Sequence, residues 1–96
     1  MVYLQASLKL RAGKLQDFIS LLNHLTPVVG RHGWKLLGSY ASVVGRLNTV
    51  VDIWELPDSN AIQAALSDAE MQKFAPQISE TVEDETLALL TKLPIG

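Results

Sequence analysis

The sequence predicts an α+β fold in the order strand, helix, strand, strand, helix, strand, and three observations lead to it. The opening residues alternate apolar and polar side chains, as a strand with one buried face does. The next stretch switches to helical spacing. Between Gly38 and Leu56, two β-rich runs flank a Gly45-Arg46 break, which predicts an antiparallel hairpin.

Val2, Leu4, Ala6, Leu8 and Leu10 share one face of the first strand, opposite Tyr3, Gln5, Ser7 and Lys9. Arg11, Ala12 and Gly13 break that pattern. Leu15, Phe18, Ile19, Leu22, Leu25 and Val29 then form one stripe, so a helix is expected over about 13–32. Pro27 falls inside it and is expected to kink or reset the helix, because it removes a backbone donor. Gly33 is a natural stop. The hairpin strands are expected over Trp34–Val44 and Leu47–Leu56, with Asp52 and Trp54 set among apolar residues in the second.

Pro57, Asp58 and Ser59 end the hairpin and offer caps for a helix carrying Ile62, Ala65, Leu66 and Ala69. Ser67 and Glu70 resemble a capping box, which predicts a further short helix with Met71, Phe74, Ala75 and Ile78. A last strand is expected over Thr81–Lys92, opening on the acidic run Glu83-Asp84-Glu85. This order is the ferredoxin-like βαββαβ arrangement, a four-stranded antiparallel sheet carrying helices on one face. Val51 and Ile53 lie on one side of the hairpin, and Val50, Trp54 and Leu56 on the other. Helices on one face cannot bury both, so a homodimer packed sheet to sheet is expected.

With 96 residues the chain is read as a single domain, 1–96, small enough for a partner to be needed to cover its surface. Its net charge of −2 and lack of a Lys/Arg cluster argue against nucleic-acid binding. The absence of cysteine excludes disulfides, thiolate nucleophiles and sulfur-ligated metals. No apolar run is long enough to span a bilayer and the first residues have no signal-peptide core, so a cytoplasmic setting is expected.

The stretch PVVGRHGWKLLG, Pro27 to Gly38, followed by VGRLNTVVDIW, Val44 to Trp54, resembles the NIPSNAP family. The matching positions are Pro27, Arg31, His32, Gly33, Lys35, Leu36, Gly38, Gly45, Leu47, Asn48, Val50 and Trp54. Tyr3 and the Gly13-Lys14 helix start also fit, so the resemblance covers most of the chain. It implies a dimeric α/β barrel of two sheet-packed subunits. The wider superfamily holds cofactor-independent monooxygenases, haem-degrading enzymes and small stress-responsive domains, and fold alone does not choose among them. Two departures matter. The opening strand reads Leu4-Gln5-Ala6-Ser7-Leu8 where relatives carry more polar and aromatic groups, and Asp52 stands where relatives often have histidine.

Asp52 is the most pointed candidate, since a carboxylate beside apolar neighbours is costly unless paired. Three readings compete: a charge at the sheet rim, a structural pair with Arg46, Lys35 or Arg11, or a pocket acid with a raised pKa. Structural ion pairs outnumber catalytic acids, which favours the first two. In the pocket reading, Tyr40, Asn48, Asp52 and Trp54 line a small cavity between sheet and helices. His24 and His32 lie eight positions apart, a poor match to a metal pair, and a helix C-terminus suits His32 electrostatically. Residues 58–80 offer no His, Cys or Tyr to bind haem iron, and Met71 fits core packing better.

No catalytic elbow or phosphate loop occurs, and the acidic run lacks the spacing of a calcium loop. The leading expectation is a non-catalytic dimeric domain, without a cofactor, that binds a small apolar molecule or a protein partner. The alternative is a cofactor-independent monooxygenase using Tyr40, Asn48, Asp52 and Trp54. A purely structural assembly domain is the third.

Overall fold

In a computed structural model that describes residues 1–95, the elements are β1 (Val2–Leu10), α1 (Leu15–Gly30), β2 (Lys35–Ala41), β3 (Thr49–Leu56), α2 (Asn60–Leu66), α3 (Ala69–Gln72), α4 (Ala75–Thr81) and β4 (Val82–Leu90). The strands form one antiparallel sheet of four in the order β2-β3-β1-β4, the ferredoxin-like topology expected. No helix is long and apolar enough to cross a membrane, among the described residues.

The alternation in β1 is realised: Leu4, Ala6, Leu8 and Leu10 are buried toward the helices. Leu4, Ala6 and Leu8 oppose Trp54, Asp52 and Val50 of β3 in register, so both central strands contribute to one floor. Phe18, Leu21, Val28 and Val29 of α1 close over it. Burial of each such side chain stabilises by about 1.5 to 3 kcal/mol. The core forms two clusters, one around Leu4, Val29, Trp54 and Leu56, the other around Ala6, Leu8, Phe18 and Val50. Leu22 packs against both.

Several boundaries differ from expectation for local reasons. Helix α1 is shorter than 13–32, and it runs without interruption through Pro27 instead of resetting. Proline lies in its last turns, where one lost hydrogen bond is offset by the burial of Val28 and Val29 just beyond. Gly33 ends the segment as expected, at φ +88°. There Trp34 N–H donates to the Val29 carbonyl, and a side chain at Gly33 would meet the Pro57 ring. The hairpin strands are also shorter, with residues 42–48 forming a wider loop. Val43, Val44 and Leu47 are exposed in it.

Three short helices replace the two expected between β3 and β4. The cap of α3 is Asp68, whose Oδ1 accepts from the Glu70 N–H at 2.8 Å; Ser67 instead ends α2. Asp68 also reaches back to the end of α1. Its Oδ2 accepts from His32 Nε2 at 2.7 Å and from Arg31 at 3.0 Å, while Arg31 also meets Glu70 at 3.3 Å. These hydrogen bonds hold the Asp68 carboxyl far below the usual carboxylate range, that from His32 being the largest cause. Lys9 pairs with Glu83 at 3.1 Å, where β4 carries an irregularity against β1.

A bulge in β2 has the largest consequence for the sheet. Leu36 opposes Trp54, but Gly38 opposes Ile53, leaving Leu37 as an extra residue. From Gly38 onward each side chain therefore lies on the face opposite to that given by uninterrupted alternation. Ser39 comes to face the helices, opposite Asp52, while Tyr40 lies on the outer face opposite Val51.

Candidate functional site

A cavity of about 140 Å³ lies between the sheet and the helices. Its floor includes Leu4, Ala6 and Leu8 of β1 with Asp52 and Trp54 of β3. Phe18 and other apolar residues of α1 cover it, and Leu66, Met71 and Ile78 approach from the later helices. Leu66, Glu85 and Leu87 are exposed liners, which sets the opening on the side of β4 and α2. Ala6 is the smallest side chain in the row Ser39, Asp52, Ala6, Leu87 that crosses the sheet. Its small size leaves space where a larger residue would fill the core.

Asp52 is only 3% exposed. Ser39 Oγ donates to its Oδ1 at 2.5 Å, and that is its one side-chain hydrogen bond among the described residues. Burial pushes the Asp52 carboxyl up from its ordinary pKa, and the Ser39 bond opposes the shift only in part. The expected structural pairing with Arg46, Lys35 or Arg11 is replaced by this serine contact. Arg11 instead donates to the Ser79 carbonyl at 3.1 Å. Nor is Asp52 a rim charge, because β3 lies between β1 and β2 in the sheet interior.

Trp54 also lines the cavity, and its ring meets Trp34 edge to face with centroids 5.4 Å apart at 73°. Trp34 is held by an Nε1–H bond to the Ala61 carbonyl at 2.9 Å. The other two residues expected in the cavity lie elsewhere. Tyr40 is 62% exposed on the outer sheet face, its ring lying over Gly38. The Leu37 bulge puts it there. Asn48 is exposed in the hairpin loop at φ +57°, and its carbonyl accepts from the Leu10 N–H at 2.7 Å. Its place is a backbone requirement at the loop end, since asparagine tolerates the left-handed region.

Ser39, Phe18 and Ala6 complete the site without having been singled out as site residues. The signal for Ser39 was Gly38, because a glycine within a strand pattern often marks a bulge. A second, more polar hollow lies between α1 and α4, bordered by Lys14, Asp17, His24 and Glu80. There His24 Nδ1 donates to the Ser20 carbonyl at 2.7 Å, and Lys14 pairs with Asp17 at 3.5 Å. Among the described residues no cluster of three metal-ligating side chains occurs.

The cavity lies in a fold shared with several solved structures. An uncharacterized NIPSNAP domain protein from Burkholderia xenovorans matches with a TM-score of 0.84 at 22% identity, over 100% of this chain and 98% of its own. A NIPSNAP family protein of unknown function from Agrobacterium tumefaciens gives 0.80 at 19% identity, over 94% of this chain and 86% of its own. An antibiotic biosynthesis monooxygenase gives 0.72 at 19% identity, over 98% of this chain and 100% of its own. At these identities the likeness is one of fold. No curated protein matches the chain. The NIPSNAP family model matches residues 3–95, and over that span of sequence and structure the chain belongs to the NIPSNAP family.

Proposed function

We propose that this domain binds a small, largely apolar molecule in the cavity between sheet and helices. The observation that carries this reading is the cavity itself: about 140 Å³, apolar on nearly every side, with one buried carboxyl in its wall. Apolar cavities of roughly 150 Å³ accept guests the size of benzene. Few polar groups to orient a ligand is the usual composition of such a site. The monooxygenase reading has less support, because Tyr40 lies on the opposite face of the sheet and Asn48 in the exposed hairpin loop, neither beside the cavity that Asp52 and Trp54 line. Toluene titrated into the protein is expected to shift the NMR signals of Ala6, Phe18 and Trp54 saturably. Ala6→Leu, which fills the row, should abolish those shifts. Absence of any shift in the unaltered protein up to the solubility of toluene overturns the reading.

The binding unit is a homodimer packed through the outer sheet face, in a dimeric barrel. That face carries Val51 and Ile53 in its centre, with Leu37, Tyr40 and Leu90 exposed around them. Contiguous apolar surface of this kind marks association sites. Sedimentation is expected to give a dimer at micromolar concentration, and Ile53→Glu a monomer. A monomeric unaltered protein would sink the dimer while leaving the cavity untouched. The proposed setting is the cytoplasm.

A further inference from the structure

We infer that the cavity selects a small organic ammonium ion, its N–H groups on Asp52 and its apolar body, about one ring in size, against Trp54 and Phe18. The inference rests on the reading of the cavity as a ligand site and adds the chemistry of the ligand. Three observations point the same way.

The charged side chains in the cavity wall are both acids, Asp52 at the floor and Glu85 near the opening. Among the described residues no Lys, Arg or His lines it. A carboxylate ligand would therefore bring a third acid into a space that holds no cation, and like charges at close range are repelled strongly where water is excluded. A cation meets the opposite situation.

Asp52 itself lacks what an ammonium provides. Ser39 serves Oδ1 alone, so among the described residues Oδ2 has neither a hydrogen-bond donor nor a positive neighbour. A buried carboxylate is stable only when paired and hydrogen-bonded. An ammonium group supplies both at once, with up to three N–H donors on one charge.

The aromatic rings complete the arrangement. Trp34 and Trp54 both border the cavity, and their rings meet edge to face at 73°. A tryptophan face attracts a cation within about 6 Å of its centroid. The remaining apolar walls are aliphatic side chains with Met71 and Phe18, which suit an apolar body.

The test compares benzylamine, benzyl alcohol, toluene and benzoate by NMR titration of the full chain. Benzylamine is expected to bind about tenfold or more tighter than benzyl alcohol and toluene, the difference expected for a charge-assisted hydrogen bond. Benzoate is expected not to bind. Asp52→Asn should remove the advantage of benzylamine over benzyl alcohol. The inference is overturned if benzylamine binds no tighter than benzyl alcohol, if benzoate competes, or if Asp52→Asn retains the preference. In those cases toluene binding blocked by Ala6→Leu would still uphold the apolar-site reading; failure of all four probes would end both. The benzylamine and benzoate comparisons use unaltered protein, so the outcome does not depend on a variant folding.

Discussion

Replacing Asp52 with asparagine is expected to make the protein more stable near neutral pH. The change keeps the size of the side chain and leaves an amide oxygen to accept from Ser39, but removes a charge whose one partner is a serine hydroxyl. Burial raises the Asp52 pKa, so the folded chain retains this proton to higher pH than the unfolded chain does. The stability contributed by this group is therefore fully present below the unfolded value of about 4 and is lost as pH rises through the higher folded value. With 3% exposure, solvent offers the charge little relief. Ionising a group here costs about 1.4 kcal/mol for each tenfold by which burial favours its protonated form, so a gain on the order of 1 kcal/mol is expected of the variant at about pH 8. For a domain of this length, about 1 kcal/mol corresponds to a Tm rise of about 4 to 8 °C. Urea unfolding followed by tryptophan fluorescence, at fixed protein concentration, measures the difference between the two proteins across pH. The advantage of the variant should shrink as pH is lowered toward about 4, by the linkage argument. A difference independent of pH, or a variant less stable at about pH 8, would refute the assignment of Asp52 as an uncompensated buried acid.

Leu56 is 0% exposed at the end of β3, so Leu56→Ala is expected to cost about 3 to 5 kcal/mol in urea unfolding. A cost below about 1 kcal/mol would mean that this end of the core collapses around the missing atoms. Asp68→Ala removes the α3 cap and the contacts to His32 and Arg31 together, and a lower Tm at neutral pH is expected. Because the Asp68 pKa is lowered on folding, its contribution is present above the unfolded value of about 4 and lost as pH falls through the folded value. Thermal melts of both proteins along a falling pH series should therefore converge, and a gap that persists in strong acid would contradict the pairing.

The two acids show that the same residue type can be shifted in opposite directions by its surroundings. Asp68 lies against a histidine, an arginine and a backbone N–H, so its charged form is favoured. Asp52 lies against alanine, tryptophan and one hydroxyl, so its charged form is costlier than in water. The first acid ties two helices together. The second has an oxygen left for something else, which is why the ligand proposals centre on it.

The sequence by itself determined the order of the strands and the first helix, the buried face of β1, the helical stripe of α1, the stop at Gly33 and the family. Each of these is written in local periodicity, a single permissive glycine, or a motif of neighbouring residues. Asp52 and Trp54 were visible as unusual residues for the same reason. Tertiary structure alone decided what surrounds them. One extra residue at Leu37 changes the face of everything after it in β2, bringing Ser39 to Asp52 and sending Tyr40 to the outer surface. Alternation can be counted along one strand, but a register shift is defined only by the strand beside it. The same holds for the cavity and for the missing cation at Asp52. Both depend on which distant side chains fill the space above the sheet, and no local pattern encodes that.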